Sequence, residues 1–515
     1  MNGYGLPEAQ RGREQRPSPA NFSEAIDRIG LGPFQTRLMF MCGMGWIIDS
    51  METLVVAFVL EKVAISFELS SVGKGLVGSA SFLGMLLGAG FWSIYADKRG
   101  RRTAFVQSLA CVFVGGVFSA ASPSFGLLCL CRMVVGFGVG GNLPVTTTLL
   151  TEFLPTKDRA NVLCRIAGIC WGIGSISASL IGLLLANIFG PGEEEAMWRW
   201  FLGLAAVPAA MVAVAYHLLP ESPRFLQVMG RHEEAMQVLE HVARMNGKLD
   251  VLGLDFAGQM DSEGDTARLR LGLSPDAPAG LNSSNGFALS GAAHGEEAEN
   301  AEAGDVRELF HTPILRRVTL CIWMVWLTLN ISYFGMAILL PRYYGDISGH
   351  EANFVYILSA LVGATNIPGA FAAMWLCSEH RLGRVGTLKW SSLAAAAVFL
   401  LLATTLRVKA IFSVTSIFAL FVLAIPETVK YVLTPELYST KYRAVGLGSA
   451  SVVTRVGGLL APVLAELLYD GWGPAGPLFV FGPILAIAGV AAGEPIELLA
   501  NSAALVSMLA SIASV

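Results

Sequence analysis

The chain has 515 residues, 54% of them hydrophobic and only 14% charged, with a mean hydropathy of +0.59. That composition excludes an ordinary soluble domain and points to a protein that crosses a lipid bilayer many times. A formal net charge of −4 argues against a nucleic-acid partner, so charge matters here by position rather than by total.

Residues 1–34 form a polar tail carrying Arg11, Arg13, Arg16 and Arg28. No short apolar core with a cleavage-type site follows, so the first span is expected to act as the insertion signal. A spanning helix needs about 20 apolar residues at a rise of about 1.5 Å each. Such runs lie near 35–60, 73–95, 103–122, 125–148, 160–189 and 198–219. A second set lies near 316–340, 353–377, 386–405, 411–433, 446–468 and 474–493. The expected architecture is an all-α membrane protein of twelve transmembrane helices in two six-helix halves, 35–220 and 315–493. Between them an insert, 221–314, opens with the helix-like GRHEEAMQVLEHVARMNGK and becomes a Gly-, Ser-, Ala- and acid-rich linker over 255–304. The apolar tail 494–515 reads as an interfacial helix or a hairpin partner.

Basic residues gather in alternate loops: Lys98, Arg99, Arg101 and Arg102; Lys157 and Arg159; Arg381 and Arg384; Lys441 and Arg443. The positive-inside rule makes those loops cytoplasmic, together with both termini and the insert, in a plasma membrane or an endomembrane vesicle. The sequons at Asn21, Asn282 and Asn330 are then expected to be unused. The eight cysteines fall within apolar segments, which predicts neither a disulfide framework nor a metal site.

Between the second and third spans runs ADKRGRRTAF, with Asp97, Gly100, Arg101 and Arg102 in a short turn. Glycine permits the tight turn, and the acid and basic pair can latch neighbouring helix ends. This stretch resembles the loop signature of the major facilitator superfamily of secondary transporters, although Ser93 stands where that pattern usually has glycine. EHRLGRVG at 379–386 is a degraded copy between the eighth and ninth spans, as a repeated half predicts. In the fourth span, Arg132 is followed by glycines 136, 138, 140 and 141, which allow close helix approach. That run, EFLPTKDR (152–159), PESPR (220–224) and PELYSTKYRAVGLG (435–448) resemble the sugar-porter branch. With GMGWIIDSME in the first span, the sequence looks similar to the synaptic-vesicle-two-related and nicotinate-type transporters. The resemblance implies that Glu152, Arg159, Glu221, Arg224, Glu436 and Arg443 form a cytoplasmic gate with the Asp97–Arg102 turn.

Asp49 and Glu52 stand inside the first span, where a charge is costly and usually functional or paired. Rise per residue puts Asp49 roughly 21 Å and Arg132 roughly 22 Å from the cytoplasmic side. The resemblance to proton-coupled sugar porters implies an Asp49–Arg132 pair that loosens on protonation. Glu52, three residues on and on the same face, is a second candidate proton carrier. In the seventh span Trp323, Trp326, Asn330 and Tyr333 share one face and read as a substrate-cavity stripe. Glu427 with Lys430, and Arg455, are further intramembrane charges, expected to serve structure or gating.

These residues, with the resemblance, imply a monomeric secondary transporter moving a small organic solute, an organic anion such as nicotinate or a sugar-like molecule, by alternating access with proton coupling. An organic-cation carrier or uniporter, and a non-transporting membrane sensor, are the alternatives. No nucleophile elbow, zinc spacing or phosphate loop appears in context, so neither an enzyme nor a cofactor is expected.

Overall fold

A computed structural model describes residues 22–190, 192–216, 219–249, 306–349, 351–378 and 381–493. The linker 255–304, the tail after 493, Arg11, Arg13, Arg16, Asn21, Asn282, Glu379 and His380 lie outside the described residues. The first half comprises α1 (Phe22–Ile29), α2 (Pro33–Phe67), α3 (Ser71–Arg99), α4 (Arg101–Ala120), α5 (Phe125–Phe153), α6 (Arg159–Ile188) and α7 (Glu194–Tyr216). Two short helices follow, α8 (Pro223–Val228) and α9 (His232–Met245). The second half comprises α10 (Pro313–Ser348), α11 (Ala352–Ala364), α12 (Asn366–Leu376), α13 (Gly383–Thr405), α14 (Lys409–Glu436), α15 (Thr440–Trp472) and α16 (Gly476–Ala491).

Among the described residues, 11 segments are long and apolar enough to cross a membrane, with Ala352–Leu376 counted once and Gly476–Ala491 as a shorter apolar helix. Every expected span therefore finds a helix. The boundaries differ, because backbone hydrogen bonding continues through polar residues that an apolar run leaves out. α5 runs on to Phe153, past the expected 148, and α10 runs on to Ser348, past 340. The eighth span breaks at Thr365 into α11 and α12. Pro368 lacks the amide that would reach the carbonyl of residue 364, and its ring crowds that carbonyl.

Close packing in the first half is set by two glycine pairs one turn apart. A Cβ at Gly84 or Gly88 on α3 would sit 2.0 Å from the carbonyl oxygens of Met133 and Phe137 on α5. Reciprocally, one at Gly136 would sit 1.9 Å from the Ser81 oxygen and one at Gly140 2.3 Å from that of Met85. Only glycine lets the backbones meet this closely, so dispersion contacts replace the hydrophobic drive that helices lack in lipid.

The end of the bundle carrying the Lys98–Arg102 turn is called the basic end here, and the opposite end the far end. At the basic end, α1, α8 and α9 pack as a cap on the first half. α9 turns Ala235, Leu239, Val242 and Ala243 inward, and Asn246 accepts from the Phe34 amide at 3.1 Å. The halves meet through α3 against α15 and through α6 against α11 and α12. Ser79 donates to the Leu459 carbonyl at 2.6 Å, and the Trp171 indole donates to the Tyr333 hydroxyl at 2.6 Å.

Replacing Gly136 by valine should cost about 1–3 kcal/mol through overpacking. It should appear as a lower melting midpoint in detergent, read by size-exclusion fluorescence after heating. Gly126→Ala, where a Cβ meets nothing within 4 Å, should leave the midpoint unchanged.

Candidate functional site

The two carboxylates of α2 divide between two partners. Arg132 donates from both terminal nitrogens to Glu52 Oε2 at 3.1 Å, and again to the Glu52 carbonyl at 3.1 Å. Both side chains are 1% exposed. The ion pair expected between Asp49 and Arg132 is thus formed by Glu52 instead. The reason is the length of α5. Its last five residues move Arg132 about 7 Å farther from the basic end, whereas the earlier start of α2 moves Asp49 by only about 3 Å. The difference is close to one helical turn, the step from Asp49 to Glu52.

Asp49 is served by neutral groups. Asn142 donates its amide to Asp49 Oδ1 at 2.6 Å, and the Asn142 oxygen accepts from Ser108 at 2.8 Å. Next to this chain the Trp46 indole donates to Thr146 at 2.9 Å. Arg455, on α15 of the second half, lies within electrostatic reach of Asp49. Arg455 is buried, yet among the described residues its guanidinium donates only to the Ser451 carbonyl at 2.9 Å and the Ser451 hydroxyl at 2.6 Å. So two ionisable groups of opposite type, one from each half, lie near each other while hydrogen-bonding to neutral atoms. Lys430, by contrast, is paired with Glu427. Its ammonium lies 5.0 Å from the centre of the Trp326 ring and 5.5 Å from that of Tyr431. Sequence reasoning expected a structural or gating role for Glu427 and Arg455, with Arg455 drawn to Glu427 or a substrate anion, and passed over Asn142. Asn142 directly follows the glycine run of α5, and a polar amide inside an otherwise apolar span was the available signal.

The stripe on α10 does not form one wall. Trp323 sits at the basic end, its indole donating to Ser449 at 3.0 Å and its ring meeting Phe310 edge-on. Trp326 is fully buried and donates to Thr434 at 2.9 Å. Asn330 donates to the Trp326 carbonyl at 2.6 Å and to Thr454 at 3.3 Å. These three residues pack α10 against its own half. Tyr333 alone reaches across, accepting from Trp171 of the first half. Spacing of 3, 4 and 3 fixes a common face but not what covers it.

At the basic end the expected gate residues stay within their own halves. Arg101 pairs with Asp97 at 3.0 Å and lies 3.5 Å from Glu152. Glu221 accepts from the amides of Arg101 at 3.0 Å and Arg102 at 3.2 Å, a carboxylate at the positive end of α4. Gly100 has φ of +103°, and a Cβ there would sit 2.3 Å from Glu221 Oε2. The turn therefore needs glycine twice over, for its backbone and for the space. Arg224 donates to Ser23 of α1 rather than to a gate carboxylate. Arg159 donates to the Leu154 carbonyl at 3.0 Å and Arg443 to the Pro435 carbonyl at 2.9 Å, matching roles in the two halves. Burial holds the Arg159 guanidinium below its ordinary value, helped by Arg224 and opposed by Asp27 and Glu152. The degraded second copy keeps one contact: Arg384 pairs with Glu436 at 2.7 Å, as Arg101 does with Glu152. The signal was Gly383 before Arg384, matching Gly100 before Arg101.

The sequence matches the family "Sugar (and other) transporter" over residues 40–264 and 280–492. It is 29% identical to an organic cation/carnitine transporter 7 of Arabidopsis thaliana, over 91% of this chain and 92% of that protein. It is 27% identical to a synaptic vesicle 2-related protein of Pongo abelii, over 87% and 75%. It is 30% identical to an MFS siderochrome iron transporter 1 of Ceriporiopsis subvermispora (strain B), over 91% and 88%. Its fold is similar to that of the xylose transporter XylE from E. coli in a partially occluded inward open conformation. The TM-score is 0.67 at 16% identity, with 89% of this chain and 96% of that one covered. The chain belongs to the sugar (and other) transporter family, in the sugar-porter branch of the major facilitator superfamily, and is a multi-pass membrane transporter of solutes.

Proposed function

We propose that this protein carries a small organic anion across its membrane together with a proton, by alternating access, with its basic end in the cytoplasm. The observation that carries the reading is the pair Asp49 and Arg455. They come from opposite halves, lie within electrostatic reach of each other, and among the described residues hydrogen-bond only to neutral groups. A carboxylate substrate supplies the charge-assisted hydrogen bonds that Arg455 otherwise lacks. The ionised Asp49 competes with that substrate for the same guanidinium, and a proton on Asp49 removes the competition. Proton and anion then bind together, and each favours the other by the same factor. Tyr431 and Tyr333 border the same region, since the charge of Arg455 reaches Tyr431 and Tyr333 bridges to Trp171.

In this scheme Glu52 and Arg132 are the fixed neighbours of the site. Their mutual neutralisation lets α2 hold a second carboxylate one turn away without accumulating charge. The choice of Asp49 over Glu52 as the proton carrier follows from the partners. Protonating Asp49 alters one hydrogen bond from a neutral amide, whereas protonating Glu52 strands a buried guanidinium. The halves meet at the far end and at mid-depth, which supports reading this state as open toward the cytoplasm.

Reconstituted protein should accumulate a radiolabelled aromatic monocarboxylate when the proton gradient points inward. Asp49→Asn should abolish gradient-driven accumulation while sparing exchange of labelled for unlabelled substrate. Loss of both, or of neither, would sink the proton assignment. Arg455→Gln should raise the half-saturation concentration about 10- to 100-fold, the value of one or two charge-assisted hydrogen bonds. If quaternary amines compete better than carboxylates, and Asp49→Asn removes that competition, the protein is an organic-cation carrier instead.

Glu52→Gln alone should lower stability by about 3–5 kcal/mol, because it leaves Arg132 charged and buried. Glu52→Gln with Arg132→Met should recover most of the loss, measured as the melting midpoint of purified protein. Equal losses in the single and double variants would show that the pair is not the source of the effect.

A further inference from the structure

The far end holds a charge cluster that spans the two halves. Arg342, near the end of α10, lies 2.6 Å from Glu466 and 2.9 Å from Asp470, both on α15 of its own half. It also lies 3.3 Å from Glu61 on α2 of the first half. Lys74 on α3 pairs with Glu61 at 2.9 Å, and Ser71 on α3 donates to Asp470 at 2.5 Å. The guanidinium stacks on the Tyr469 ring, 4.0 Å from its centre. Two contacts therefore cross between halves, Arg342 to Glu61 and Ser71 to Asp470. They lie just beyond the helix crossing where a Cβ on Gly75 would sit 2.5 Å from the Val463 Cα.

From this geometry we infer that Arg342 is a gate residue, which locks the far ends of α2, α3, α10 and α15 together and biases the transporter toward the state open at the basic end. The lock has a mechanical consequence. Opening the far end separates Glu61 and Ser71 from the second half, while Glu466 and Asp470 travel with Arg342. The crossing contacts break and the guanidinium keeps two acids. Its charge stays satisfied in both states, so the cost of opening is the loss of the Glu61 and Ser71 contacts rather than the exposure of a bare ion. Lys74 is different: it forms its ion pair with Glu61 of the same half, and it reaches Glu466 and Asp470 of the second half only by longer-range attraction without a direct contact. Glu466, 1% exposed and held by Arg342, fixes the guanidinium where Glu61 can reach it. The inference needs alternating access but neither the proton nor the substrate assigned above.

The test reads conformation rather than transport. Spin labels on unnatural residues at Val72 and Trp472, which are 45% and 72% exposed, report the far-end gap by electron–electron distance measurements in nanodiscs. Labels at Val228 and Leu382 report the basic end. Arg342→Ala and Glu61→Gln should each raise the ratio of far-end-open to far-end-closed molecules about five- to tenfold, the usual size of such couplings. The basic-end distance should shorten in step. Lys74→Ala should shift the ratio less than twofold. A reference pair at Val72 and Ile188, both in the first half, should not move in any variant, which shows that the first half stays folded. Unchanged far-end populations in Arg342→Ala and Glu61→Gln would overturn the proposal. So would a shift in Lys74→Ala as large as that in Glu61→Gln, because the direct contact of Lys74 lies within its own half.

Discussion

A charge at membrane depth must find a partner, and the buried Glu52–Arg132 pair is the contact around which the first half is arranged. Removing two ions from water costs several kcal/mol each, which mutual attraction and added hydrogen bonds must offset. Arg132 meets the requirement with three contacts to one residue, while glycines on the same helix bring α5 close against α3 and α4. Lys430 and Glu427 solve the same problem in the second half with a local pair shielded by two aromatic rings. Against these two neutral pairs, Asp49 and Arg455 stand out as charges with hydrogen bonds but no direct ionic contact.

Much of this organisation was legible in the sequence. Length and hydropathy gave the spans, the repeated Gly-Arg turn gave the two halves, and the cost of charge in lipid singled out Asp49, Glu52 and Arg132. Pairing was not legible, because it depends on helix length at a resolution finer than one turn. The expected span stops at residue 148, whereas the helix continues to Phe153. The aromatic stripe failed for another reason. Periodicity shows that Trp323, Trp326 and Asn330 share a face of α10, but Ser449, Thr434 and Thr454, which take up that face, come from helices more than a hundred residues away. The far-end cluster was the least visible. Glu61, Lys74, Arg342 and Asp470 each look like ordinary charges at the end of a span, and only the fold gathers them.

The two ends of the molecule use similar ions in different ways. At the basic end Arg101 with Glu152 and Arg384 with Glu436 repeat one contact in each half, so those pairs brace a half against itself. At the far end Arg342 joins one half to the other. In a protein that alternates between two openings, pairs within a half survive the change and pairs across the halves are traded. Among the described residues, the ion pair between halves lies at the far end, where Arg342 meets Glu61.

The strength of the bridging contacts is constrained from both sides. A lock worth many kcal/mol would trap one state, since a ligand can shift a two-state equilibrium only by its own difference in affinity. A lock worth nothing would let both ends open and leak. The far-end cluster sits between these limits by its placement. Glu61 and Asp470, the two acids that take part in crossing contacts, are 42% and 38% exposed, whereas Glu466, which never leaves Arg342, is 1% exposed. Water screens the contacts that must break and is excluded from the one that must hold. Exposure therefore sorts the cluster into a well-buried part held by Arg342 and a more exposed part that takes part in the crossing contacts.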